Sequence, residues 1–351
     1  MKILKQVVAL LLVAVMCLGL WGCRTTKKND NNNYKLNIVT TLFPYYDMVR
    51  AIVGDVEDIH VSMTVAPGQD SHSFEPSPAD VIEIEEADLF IYNGGSLEHW
   101  VDTLLQSFNN GDHGERIRMM DYVEVLEEEH VEGMDTRFES DEHNHKEEPE
   151  NHNLKEADGH TQNSINQNTH SHEGEADEHI WTSPVNVQIL TNKICQTLCE
   201  IMPENKDTFQ MNAKKYISDV KKLDGEFRNI FDKADKKEII FADKFPILYF
   251  AKEYGLDYYA AFPGCGSDME PSAKTIAFLI DKIKEDNINA VFYLELSSHI
   301  VADVISDDTG AEALKFNSCH NITQKQFDAG VTYIDLMKEN VLNLKKAFSE
   351  K

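Results

Sequence analysis

Beyond residue 34 the chain alternates short apolar blocks with stretches of helical period, the pattern of parallel sheets covered by helices. Lys35 to Leu42 reads as a strand, Pro44 to Val53 as a helix stopped by Gly54, and Glu57 to Val65 as the next strand. Ser77 and Pro78 offer an N-cap and a first-turn proline to a helix running to Ala87. Asp88 to Tyr92 then predicts a strand, Asn93-Gly94-Gly95 a turn, and Leu97 to Phe108 a helix, within an N-terminal lobe over residues 34–126. The alternation returns in a second lobe over 238–351. Strands are expected there at Glu238 to Ala242, Asp257 to Ala261, Ala290 to Leu294 and Ala313 to Phe316, with a final helix from Val331 to Phe348. Between the lobes, Pro184 to Asp232 is helical in period except near Met202-Pro203, so residues 179–237 should end the first lobe and supply a long rigid linking helix. The expected class is α/β, two lobes joined by a helix.

Two stretches stand outside this alternation. Residues 1–22 begin with Lys2 and Lys5 and continue as an apolar run from Val7 to Leu20, short for a membrane span and typical of an export signal. The run ends in Leu20-Trp21-Gly22-Cys23, which resembles a bacterial lipobox. Cys23 is therefore expected to carry the lipid, with polar residues 23–33 as a solvated tether. The second stretch, 127–178, holds His130, His143, His145, His152, His160, His170 and His172, and seventeen acidic residues against three basic ones. It has no apolar period and should not fold alone. A purely solubilising loop has no reason to accumulate histidine, whose neutral ring ligates borderline-soft metals, so this loop is read as an accessory metal collector.

Composition sharpens the picture. With 351 residues and 42% hydrophobic content the chain can bury a core in two domains. Its net charge of −28 excludes a nucleic-acid partner and favours cations. His72 stands in Pro67-Gly68-Gln69-Asp70-Ser71-His72-Ser73-Phe74-Glu75-Pro76, directly after a strand, where α/β sheets bind ligands. His179, in Asp177-Glu178-His179-Ile180-Trp181, stands just before a helix started by Pro184.

These segments, in this order and spacing, resemble the metal-binding lipoproteins of ABC transporters for zinc and manganese, a group that includes proteins described as adhesins. The likeness rests on residues 67–78, Ala87 to Gly94, Leu97-Glu98-His99-Trp100 and Asp177 to Trp181. It continues through Tyr254-Gly255-Leu256, Glu270-Pro271-Ser272, Thr309-Gly310-Ala311 and Gly330-Val331-Thr332-Tyr333 with Asn340. The resemblance implies a metal site in the cleft between the lobes, with His72 and His179 as ligands. It also implies a permease and its ATPase as partners, and a lipid-anchored location on the extracellular face of a bacterial membrane.

The family's third ligand, a histidine or glutamate at the head of a helix, has no direct counterpart. The chain reads Phe241-Ala242-Asp243-Lys244-Phe245-Pro246 with one extra residue, and Asp243 is the nearest oxygen. Glu295, after the strand Val291 to Leu294, is the candidate fourth ligand, with a water as the alternative. Manganese-type members carry an aspartate after the glycine where this chain has Val331, and that loss, with the histidine-rich loop, favours Zn2+ over Mn2+.

His99, His299 and His320 read as structural, and Cys195 and Cys199, one helical turn apart, as small buried residues. Cys265 and Cys319 follow second-lobe strands and are expected either to form a disulfide or to serve as thiol zinc ligands. No H-E-x-x-H, G-x-S-x-G or P-loop motif is present, so the chain is not expected to be an enzyme. Besides zinc capture for import, two readings stay open: a manganese receptor, and a surface adhesin or metal buffer uncoupled from transport.

Overall fold

The computed structural model describes residues 34–108, 114–135, 175–264 and 270–349. The expected export signal, Cys23, the tether and Cys265 lie outside these. β1 (Leu36–Thr40), α1 (Phe43–Val53), β2 (Ile59–Met63), α2 (Pro78–Glu85), β3 (Leu89–Tyr92), α3 (His99–Ser107) and β4 (Glu115–Arg118) build the first lobe. Its strands pair in parallel in the order β2-β1-β3-β4. α4 (Pro184–Ile201) and α5 (Lys206–Phe231) follow. The second lobe contains β5 (Glu238–Phe245), α6 (Leu248–Tyr254), β6 (Asp257–Pro263), α7 (Ala273–Asp286), β7 (Ala290–Leu294), α8 (Ile300–Thr309), β8 (Glu312–Phe316), α9 (Gln324–Asp328) and α10 (Tyr333–Ala347). Its parallel order is β6-β5-β7-β8, the same topology again. The order reverses between β1 and β3 and between β5 and β7, and loops at the carboxyl ends of such strands form binding crevices.

β3, all four of whose residues are buried, is the kind of continuous apolar strand that a sheet covered on both faces requires. The short edge strand β4 was not anticipated, since Ile117 is its one buried residue. The linking region also differs from a single long helix. α4 ends at Met202-Pro203, where Pro203 lacks an N–H to continue it, and Cys199 Sγ then meets the Lys206 carbonyl at 3.8 Å. The groove between α4 and α5 is lined by Asn192, Cys195 and Cys199 on one side and Lys206, Gln210 and Ala213 on the other, so the two form an antiparallel hairpin. α5, 26 residues and about 39 Å long, packs against both lobes.

The lobes share one apolar core, which passes from Ile38 and Phe90 through Trp181 and Phe227 to Phe250 and Phe316. A buried carboxylate sits within it. Arg50 Nε at 2.9 Å, the Tyr216 hydroxyl at 3.0 Å and the Tyr333 backbone N–H at 3.0 Å all donate to Asp47, tying α1, α5 and α10 together. Burial pushes the Asp47 pKa up, while Arg50 pulls it down.

The turn after β3 prepares the ground for the site. Gly94 and Gly95 both take positive φ, and a Cβ on Gly95 would collide with the Glu178 carboxylate. The Gly94 N–H donates to Glu98 Oε2 at 2.9 Å. Glu98 is buried, and burial pushes its carboxyl up to about 7 against that hydrogen bond, with nearby Glu178 adding to the rise.

The ends of the histidine-rich stretch are packed rather than loose. Glu127 pairs with Ala176 in an antiparallel bridge, the Asp135 N–H donates to the Ala261 carbonyl at 2.9 Å, and Asp135 Oδ2 accepts from Ser272 N–H at 2.8 Å. His130 is exposed, and the six other loop histidines lie outside the described residues. Among the described residues no helix is long and apolar enough to cross a membrane.

Two outcomes follow from these buried carboxyls. Asp47→Ala strands three donors, so urea unfolding should show a loss of roughly 3–5 kcal/mol, against under about 0.5 kcal/mol for Leu342→Ala on the exposed face of α10. Glu98 holds its proton in the folded state to higher pH than in the unfolded chain, so its contribution to stability falls as pH rises from about 4.5 through 7. Glu98→Gln should therefore melt above the parent at pH 8, by the equivalent of roughly 2–3 kcal/mol, and gain nothing at pH 4.5.

Candidate metal centre

The loops after β2, β5, β7 and β8 meet the Asp177 to Trp181 segment around a cavity of about 380 Å³. His72, His179 and His320 line it, with Asp70, Lys244 and Glu270. Two of these histidines were expected. The third, His320, whose place beside Cys319 suggests a structural role, also lines the cleft.

His72 rides on a loop turned by local bonds. Its backbone N–H donates to Asp70 Oδ1 at 2.7 Å, and Phe74, two residues on, is buried against Trp100. His179 is almost wholly buried and more tightly held. Asp177 Oδ1 accepts its backbone N–H at 2.8 Å and lies 3.2 Å from its Nδ1. A carboxylate in that position is the usual means by which an imidazole keeps its proton on Nδ1 and leaves Nε2 for a metal. Trp181 meets the His179 ring edge-on at 5.5 Å, and Gly264 of the second lobe approaches so closely that a Cβ there would press 3.4 Å from the ring. The segment itself is clamped from both lobes. Glu178 accepts from Ser96 and Leu97, Asn93 Nδ2 donates to the Glu178 carbonyl at 2.9 Å, and the Tyr249 hydroxyl donates to the Asp177 carbonyl at 2.7 Å.

The His320 loop bridges the lobes as well. Its Ser318 carbonyl accepts from Trp181 Nε1 at 3.0 Å, and Asn321 Nδ2 donates to the Ala66 and Gln69 carbonyls at 2.8 and 2.7 Å. The loops carrying His72 and His320 are thus pinned to each other.

The two expected oxygen ligands are both hydrogen-bonded within the fold. Asp243 lines the cleft, but Oδ1 accepts the Lys244 N–H at 2.8 Å and Oδ2 the Leu294 N–H at 3.1 Å. The extra residue seen in the sequence is a β-bulge between Phe241 and Lys244, where β5 advances three residues while β6 advances two. It brings Lys244 to the cleft wall. Glu295 accepts from the Ser318 N–H, the Ser318 hydroxyl and the Cys319 N–H at 2.8, 2.9 and 3.0 Å, which fastens the His320 loop. Val331, the position expected to bear on manganese, is away from the cleft, and its carbonyl accepts from Arg50. Cys319 is buried, and its expected pairing with Cys265 falls partly outside the described residues. His99 and His299 do not line the cleft.

The electrostatics favour ligand nitrogen. His72 keeps an exposed edge at the cleft mouth, yet its pKa is pushed down to about 3, first by burial and then by the charges of His179 and Lys244, with Asp70 opposing. Burial likewise pushes His320 down despite Glu295. Both rings therefore offer lone pairs at neutral pH without a proton to displace. The His72 and His179 centroids are 5.7 Å apart, slightly wider than the roughly 5 Å of two imidazoles on one tetrahedral zinc. Among the described residues no three His, Cys, Asp or Glu side chains lie at ligating distance from one common point.

Known proteins share this architecture. The high-affinity zinc uptake system protein ZnuA of Bacillus subtilis (strain 168) is 32% identical over 328 residues, covering 92% of this chain and 91% of that protein. The zinc-binding lipoprotein AdcA of Streptococcus pneumoniae (strain ATCC BAA-255 / R6) is 29% identical over 97% of this chain, which spans 60% of AdcA. The crystal structure of the Zn(II)-bound ZnuA-like domain of Streptococcus pneumoniae AdcA superposes with a TM-score of 0.68 at 26% identity, covering 90% of this chain and all of that domain. The family model for the zinc-uptake complex component A, periplasmic, matches residues 38–347, and the chain belongs to that ZnuA family.

Proposed function

We propose that the chain is the receptor of an ABC import system, taking up extracellular zinc in the cleft through His72, His179 and His320 and presenting it to a membrane permease. The observation that carries this reading is the convergence of three imidazoles, two from loops of the first lobe and one from the second, on one cavity. Three nitrogen donors with an open fourth position suit zinc, which accepts low coordination number, better than oxygen-seeking manganese. Water or Asp70 can fill the fourth position. The energy for transport belongs to the partner ATPase, so the receptor needs only a site that closes on the ion and reopens. In this reading Cys23 anchors the chain by lipid to the outer face of the membrane, and the histidines at 143, 145, 152, 160, 170 and 172 gather metal near the cleft.

Zinc titration against a competing chelator tests it, using the chain from Cys23 onward with residues 136–174 removed. One tight equivalent should remain, and His72→Ala, His179→Ala and His320→Ala should each weaken it by about 100-fold or more. Unchanged affinity in the His72→Ala, His179→Ala double variant would place the metal elsewhere. The Lys244 ammonium repels a divalent ion, so Lys244→Gln should tighten zinc roughly tenfold at low salt and less at high salt.

A further inference from the structure

Ser318 lies between an acidic residue and a cleft histidine. Its hydroxyl donates to Glu295 Oε1 at 2.9 Å, and the same oxygen is 2.9 Å from His320 Nδ1. Glu295 Oε1 itself is 3.8 Å from that ring nitrogen, too far for a direct hydrogen bond. A serine hydroxyl has one proton to give. If it goes to the carboxylate, the contact with the imidazole is favourable only when Nδ1 carries the ring proton and Ser318 Oγ accepts it. The opposite arrangement would set a hydroxyl lone pair against a carboxylate oxygen.

We infer that Glu295 and Ser318 form a carboxylate–hydroxyl relay that fixes His320 as its Nδ1–H tautomer and so directs the Nε2 lone pair at the zinc site. The inference rests on His320 being a zinc ligand and adds two positioning residues to that reading. It makes His320 the counterpart of His179, whose Nδ1 faces Asp177 directly at 3.2 Å. The backbone agrees. Cys319 takes a positive φ of 64°, unfavourable for a side-chain-bearing residue, and its N–H is held at 3.0 Å by the same Glu295 oxygen that takes the Ser318 hydroxyl. The carboxylate therefore holds both the bend of the loop and the tautomer of the ring.

The test uses the full chain labelled with 15N-histidine. Long-range proton–nitrogen correlation on the zinc-free protein, with His320→Gln for assignment, should show His320 protonated at Nδ1, and Ser318→Ala should yield a mixture of tautomers. Chelator competition should show zinc weakened roughly 10–100-fold in Ser318→Ala and restored in Ser318→Thr. Melting of the zinc-free Ser318→Ala protein should stay close to the parent, which separates positioning from a fold defect. Glu295→Gln provides a second variant and should weaken zinc in the same range. An Nε2–H tautomer in the parent, or parental zinc affinity in Ser318→Ala, overturns the relay. If His320→Ala also retains parental affinity, the ligand assignment falls with it; if His320→Ala loses zinc while Ser318→Ala does not, the relay alone is wrong.

Discussion

The Asp47 carboxylate is where the two lobes are made into one body. Three donors from α1, α5 and α10 converge on it inside a core that passes through both sheets. A buried acid with incomplete partners is strongly destabilising, so each of the three helices is held to the position that satisfies it. α5 gains its role from this junction. It is the long element common to both lobes, and Tyr216 fixes its angle against the first while Phe227 and Phe231 pack on Phe250 and Tyr254 of the second. With the lobes set in this way, the carboxyl ends of the two sheets face a common cleft.

Within the cleft a division of labour separates charge from coordination. The acidic side chains Asp177, Glu178, Asp243 and Glu295 are engaged by backbone N–H groups, hydroxyls or an imidazole, and they shape loops. Histidines face the cavity. The arrangement follows from desolvation: a buried carboxylate needs several donors, and strand ends and tight turns supply N–H groups in abundance. A buried imidazole can stay neutral and keep one nitrogen for a ligand. The positive Lys244 strengthens that neutrality in His72 and His320 while opposing the incoming ion, which favours a site that binds zinc without holding it irreversibly.

Much of this was legible in the sequence because parallel sheets write themselves as apolar blocks separated by helical periods. The two lobes, the His72 loop and the segment containing His179 all emerge from that pattern. β4 does not, since an edge strand with a single buried residue has almost no apolar signal. The α4–α5 hairpin was visible only as a break at Met202-Pro203, because periodicity records which face is buried and not whether the next helix turns back. His320 could have been found by the rule already applied to Cys319, that residues just past β8 lie at the ligand end of the sheet. Asp243 and Glu295 satisfy the same rule and still work as supports. Position alone places a side chain near the cleft; only the hydrogen-bond partners decide whether its oxygens remain available.

The cross-lobe bonds explain how a site of this kind can open without unfolding. His179 belongs to a segment tied to the first lobe through Ser96 and Leu97 and to the second through Tyr249, and the His320 loop is tied to the first lobe through Trp181 and Asn321. These contacts are a few hydrogen bonds at the cleft, each with a modest net contribution, whereas the Asp47 carboxylate is held from three helices at once. A partner that pulls the loops apart therefore works against a few local bonds while the lobes stay anchored. In the proposed three-histidine site, moving any one imidazole away would leave zinc with two nitrogen ligands, so a displacement of one loop would be enough to change capture into release.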